Sequence, residues 1–167
     1  MPCERAVAAD VQTTSIYTDL SGNECRTIKE DKETGSSIQQ CPGVAGYHLL
    51  VADDDSRMSV SVVTPDNKEH PLDYWNVIAK SFSSLGKKAE WRVVRANGAV
   101  TPIALIVRVD ASDQTNLKSP KKRSYLAVAK IQAEQICVTD KIKPAKDANE
   151  VARRSADNAL NQPCLKP

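Results

Sequence analysis

Long apolar runs are missing from this chain, and no stretch approaches the ~20 residues a helix needs to cross a bilayer, so no transmembrane segment is expected. Glycine is sparse at six residues, and neither G-x-G-x-x-G nor a P-loop occurs, which removes the common nucleotide-binding readings. Only two histidines are present, His48 and His70, and neither is spaced from a cysteine as a zinc site requires. No C-x-x-C pair occurs, so a thioredoxin-type redox motif is absent. No G-x-S-x-G elbow surrounds any serine, which argues against a serine hydrolase. A large charge of one sign is lacking too. With 23 basic and 21 acidic residues the formal charge is +2, and no dedicated nucleic-acid binder is expected. No metal and no cofactor are expected.

What is present fits one domain. A chain of 167 residues can bury roughly two thirds of its unfolded surface, enough for one core. Residues 1–12 are Ala-rich and aperiodic and read as a flexible arm, with a single globular α+β domain over 13–167. Thr13–Leu20 carries the β-branched and aromatic residues of a first strand, followed by a turn at Ser21-Gly22-Asn23. Met58, Val60 and Val62 alternate with smaller or polar neighbours, the period-2 signature of a half-buried strand, and "DDDSR" joins that strand to Tyr47–Ala52. Glu90–Arg95 and Val100–Val109 are joined by Asn97-Gly98, the dipeptide of a type I′ hairpin. "PIALIVRV" is almost continuously apolar and predicts a central strand covered on both faces, with Pro102 at its start. Tyr125–Ile131 and Ile136–Thr139 complete a mainly antiparallel sheet of about six to eight strands.

Two helices are expected. Trp75, Ile78 and Phe82 lie at helical spacing within Asp73–Phe82. Ala148, Val151, Ala152, Ser155, Ala156 and Ala159 form one stripe over Ala148–Leu160, with Asp147 and Glu150 placed as a capping box. An alanine face gains little from burial, so a covalent tether to this helix is physically sensible.

Five cysteines, Cys3, Cys25, Cys41, Cys137 and Cys164, make disulfides the natural reading. Among the open connectivities the neighbour solution pairs Cys25 with Cys41, around the charged tip at 29–37, and Cys137 with Cys164, around the C-terminal helix. Each ring contributes about 3 kcal/mol in the chain-entropy account. Such bonds persist in oxidising compartments, which predicts a periplasmic or extracellular protein. Cys3 is left over and reads as a terminal thiol, with lipidation or intermolecular pairing as the alternatives.

The candidate sites are few. Lys118, Lys121, Lys122 and Arg123 form the one sharp charge cluster, expected in a loop between two strands and able to face an anionic partner. A solvated hairpin tip is the ordinary alternative. Tyr74 and Trp75 form an aromatic pair that could anchor a sugar or a protein, against a core role. Paired carboxylates for glycoside hydrolysis would have to come from Glu90 and the Asp53–Asp55 group, where a salt-bridged strand residue and a solvated turn are the plainer readings.

The segments "CPGVAGYHLLV" (41–51), "RMSVSVVTPDNKEHPL" (57–72), "FSSLGKKAEWRV" (82–93), "PIALIVRV" (102–109) and "ICVTDKI" (136–142) resemble a group of small exported bacterial proteins without assigned function. That resemblance implies a signal-peptide-bearing precursor and a periplasmic or secreted product, and it carries no catalytic residues. In size and build the chain is also similar to periplasmic lysozyme inhibitors, whose Ser-Gly loop is matched by Ser21-Gly22. The function expected is a non-enzymatic binding module for an envelope protein or a glycan. A carboxylate-based hydrolase and a small-molecule carrier are the alternatives.

Overall fold

Alternating apolar residues build most of the strands seen in the computed structural model, which describes residues 11–113, 118 and 121–167. In chain order these are β1 (Gln12–Asp19), β2 (Arg26–Asp31), β3 (Ser36–Cys41), β4 (His48–Asp53), β5 (Met58–Val63) and β6 (Glu69–Pro71), then α1 (Tyr74–Val77). There follow β7 (Ser83–Leu85), β8 (Lys88–Ala96), β9 (Ala99–Asp113), β10 (Lys121–Ile131), β11 (Ile136–Ile142) and α2 (Ala148–Asp157), with a 3₁₀ turn at Ala159–Asn161. The fold is α+β and mainly antiparallel, as expected, but its strands divide into two sheets. One is the meander β2-β3-β4-β5-β6. The other runs β1-β8-β9-β10-β11, with β7 also on β9.

The sheets pack face to face, and α2 covers the far side of the larger one. Between the sheets, Leu49, Val51, Val60 and Val62 of the smaller meet Trp91, Val93, Leu105, Val107 and Val109 of the larger. On the outer side, Ala104, Ile106, Leu126 and Val128 meet Ala148, Ala152 and Ala156 of α2. Strand β9 therefore serves both cores: beyond Pro102, Leu105, Val107 and Val109 face the smaller sheet while Ala104 and Ile106 face the helix. That explains why its sequence is nearly continuous in apolar residues. The Trp91 indole, 0% exposed, donates from Nε1 to Thr18 Oγ1 at 2.8 Å, so its one polar group is satisfied.

Both expected disulfides are formed, Cys25–Cys41 and Cys137–Cys164, and the second tethers the segment after α2 to β11. Asn97 and Gly98 have φ of 51° and 77°, the two positive values that a type I′ turn demands.

Several expectations are corrected. The charged stretch 29–37 is not one loop: it holds the ends of β2 and β3, and only 32–35 turns. The helix expected over Asp73–Phe82 is the single turn Tyr74–Val77, because Asp73 sits at φ 54° and the chain extends again at Ser83. Pro102 lies inside β9, opposite Val93, where the register slips by one residue and Ile103 is unpaired with β8, so the missing N–H falls at a bulge. Asp147 precedes α2 without a side-chain cap bond. Of the arm expected at 1–12, residues 1–10 and with them Cys3 lie outside the described residues, and Gln12 opens β1 opposite Arg95.

Candidate functional site

The loop "DDDSR" collapses to a two-residue turn. Asp54 and Arg57 exchange backbone hydrogen bonds at 3.1 Å in both directions, leaving only Asp55 and Ser56 to reverse the chain. Both have positive φ, 52° and 60°, a conformation that aspartate accepts readily and serine does not favour. The turn is held from outside: Ser83 N donates to Ser56 O at 2.8 Å, and Met58 N donates to Ser83 Oγ at 3.1 Å. These bonds carry Phe82 alongside Arg57.

From the other direction, Leu72 N bonds Val60 O at 2.9 Å and brings the chain across β5 into α1. Asp73 accepts two hydrogen bonds from Asn76 Nδ2, each 2.9 Å, and fixes the single helical turn that presents Trp75. The result is a guanidinium between two rings. Arg57 Cζ lies 5.3 Å from the centre of the Trp75 ring and 5.1 Å from that of Phe82. Trp75 and Phe82 are 42% and 40% exposed, so two large aromatic residues stand partly in solvent.

Trp75 and Arg57 stand at the edge of a groove of ≈ 810 Å³ on the outer face of the smaller sheet. Ala52, Ser59 and Ser61 make a floor of small side chains, and Asp54, Glu69 and Asp73 bring carboxylates to its walls. Chemically the groove offers an aromatic face for C–H surfaces, hydroxyls that both donate and accept, and carboxylates that accept from hydroxyl donors. A second depression of ≈ 200 Å³, lined in part by Lys29, Asp31 and Ser37, continues from it through the shared residues Ala52 and Asp54.

The sequence-predicted residues separate. Trp75 is exposed at the groove, but Tyr74 is 2% exposed and packs in the core, where burial pushes its phenol pKa well up. The aromatic pair is thus one anchor and one core residue, because neighbours on a helical turn point in different directions. Lys121, Lys122 and Arg123 are not in a loop but on β10, opposite Asp113, Ser112 and Ala111. Alternation along the strand sends Lys122 to the opposite face from Lys121 and Arg123, so the cluster does not converge. Lys118 is exposed nearby, and none of the four lines the groove.

Glu90 and the Asp53–Asp55 group also separate. Glu90, 9% exposed, lies on β8 of the larger sheet, whereas the aspartates sit at the β4–β5 turn of the smaller one. Its carboxylate accepts from Arg153 Nε at 2.7 Å and from Ser15 Oγ at 2.6 Å, which is the salt-bridged role. Held by Glu90 first and by the Tyr17 hydroxyl second, the Arg153 guanidinium has its pKa raised.

Sequence reasoning missed Arg57 and Phe82, which no local pattern joins. Among the described residues no group of three or more His, Cys, Asp or Glu side chains is placed to hold a metal ion, and no helix is long and apolar enough to cross a membrane. No family model matches the chain, and no curated protein or solved structure matches it either.

Proposed function

We propose that this protein is an exported, non-enzymatic binding module that takes a glycan along the outer face of its smaller sheet. The observation that carries the reading is the exposed Trp75 at the groove, with Arg57, also in its lining, lying between Trp75 and the exposed Phe82. Exposed aromatic faces are costly to leave in water, and a sugar's C–H face covers one while its hydroxyls remain free to bond. Ser59, Ser61, Asp54 and Glu69 are within the same groove to receive those hydroxyls. The Arg57 cation stiffens the arrangement by lying against both rings, which lowers the entropy lost on binding. Two disulfides support export, since such bonds persist in oxidising compartments. Free thiols at Cys25 and Cys41 in the native protein would overturn that part.

Fluorescence titration with soluble chito- and cello-oligosaccharides tests the glycan reading. Trp91 is buried, so a ligand-dependent change in indole emission belongs to Trp75. The expected result is a saturable change with at least one series, weakened in Phe82→Ala, and calorimetric titration, which needs no indole signal, is expected to show the binding lost in Trp75→Ala. Absence of any saturable response, or an unchanged affinity in Trp75→Ala, would sink the proposal and favour a protein partner.

A further inference from the structure

A second cavity lies on the opposite side of the molecule, under the first turns of α2. It has a volume of ≈ 280 Å³, and Asn149 and Arg153 reach it from the helix. These two residues are four apart and so share one face of α2. Its apolar lining comes from Ile106 and Leu126, both 4% exposed, at the edge of the helix-side core.

The charges around it do not cancel. Arg153 is paired with Glu90 at 2.7 Å, and Lys88 with Asp19 at 2.8 Å. Arg108, on β9, is different. Its Nη1 donates to Ser124 Oγ at 2.6 Å and its Nη2 to Asn149 Oδ1 at 3.5 Å, both neutral acceptors, and it has no carboxylate partner among the described residues. A guanidinium has five N–H donors, so most of its hydrogen-bonding capacity is unspent. The Tyr17 hydroxyl accepts from Arg153 Nη2 at 3.2 Å, which leaves its own proton to donate. The stem of Arg108 is fitted closely: a Cβ at Gly86 would fall 3.0 Å from Arg108 Cβ, and Gly86 N bonds Arg108 O at 2.9 Å. The glycine permits that close approach of backbone to side chain.

We infer that this cavity binds the carboxylate of a small organic acid, held by Arg108 and the Tyr17 hydroxyl with its hydrocarbon part on Ile106 and Leu126. One uncompensated cation calls for one negative charge, the planar guanidinium fork matches a carboxylate, and the apolar lining favours an organic anion over a fully hydrated one. The small volume limits the ligand to a few carbons or to the end of a peptide chain. The site is separate from the groove and does not depend on the glycan reading.

Amide NMR titration with sodium propionate is the test, with propionamide as the uncharged control. Propionate is expected to give saturable shifts at Ile106, Asn149 and Arg153, and propionamide none. Arg108→Gln is expected to weaken propionate by at least about tenfold, the loss of a charge-assisted pair, at an unchanged melting temperature. Should Arg108→Gln not fold, Tyr17→Phe gives a smaller loss in the same direction. Trp75→Ala leaves the propionate shifts as they are. Comparing a short peptide with free and amidated C-termini shows which source of carboxylate fits better. Equal responses to propionate and propionamide, no response to either, full affinity in Arg108→Gln, or tighter binding of inorganic phosphate than of propionate would each overturn the inference.

Discussion

Arg92 on β8 grips Asp157 at the end of α2 in two places, with Nε 2.7 Å from Oδ1 and Nη2 2.9 Å from Oδ2. The same arginine donates from Nη1 to Ser15 Oγ at 2.8 Å, and Ser15 in turn donates to Glu90, which holds Arg153. A polar network therefore fastens the middle and the C-terminal end of α2 to the larger sheet. The helix needs it, because its buried face is Ala148, Ala152 and Ala156, and alanine contributes little transfer free energy. Forked arginine–carboxylate geometry is the strong form of such a bond, and the Arg92 side chain is only 12% exposed. A double-mutant cycle over Arg92→Ala and Asp157→Ala, read by urea unfolding of the oxidised protein, is expected to give a coupling of about 1 kcal/mol or more. Coupling near zero would mean that the alanine face and the Cys137–Cys164 bond hold the helix unaided.

The Asp55-Ser56 turn is tighter than its residues favour. At Asn97-Gly98 the second turn position is glycine, whereas Ser56 adopts φ 60° with a side chain attached. That region costs an L-residue about 1–2 kcal/mol, part of which glycine returns through its freer unfolded chain. Ser56→Gly is expected to stabilise the protein by about 0.5–1 kcal/mol, seen as a melting temperature higher by about 1–4 °C. The Ser83 contact is to backbone and survives the change, so the Trp75 response to glycan is expected to persist. Destabilisation by Ser56→Gly would show that the turn is relaxed as it stands.

How legible each element was follows from how local its cause is. Met58, Val60 and Val62 could be read as a strand because burial on one face writes a period of two into the chain. Strand β2 left no such trace: every residue of Arg26–Asp31 is exposed, at a sheet edge whose charges also discourage further pairing. Trp75, Ile78 and Phe82 lie at helical spacing, yet only Ile78 is buried, so the period there was coincidence. Lys121–Arg123 looked like a loop because the β9–β10 ribbon runs past the core, where nothing selects apolar residues. The groove itself was half legible. Trp75 stood out as a rare aromatic, but Arg57 and Phe82 meet only because Ser83 bonds back to the β4–β5 turn.

Glu69 and Pro71 enter the groove on β6, and the turn that delivers them depends on Thr64. The Thr64 hydroxyl donates to Asp66 Oδ1 and accepts from Lys68 N at 3.1 Å. That bond, assisted by Lys68 Nζ at 3.5 Å, holds the Asp66 carboxyl below its ordinary value of 3.8. A carboxyl depressed on folding stabilises the folded state fully above its unfolded pKa, and the contribution is lost as pH falls through the folded one. Carbon-detected NMR titration is therefore expected to place the Asp66 midpoint below 3.8, and Thr64→Val to move it back up towards that value. Since the same turn positions Glu69, glycan affinity is expected to fall over that acidic range in the parent protein, whereas Thr64→Val, which has no Thr64–Asp66 bond for protonation to break, is expected to lack that acid-dependent step. An Asp66 midpoint indifferent to Thr64→Val would remove the hydroxyl as the cause and leave Lys68 to account for the shift.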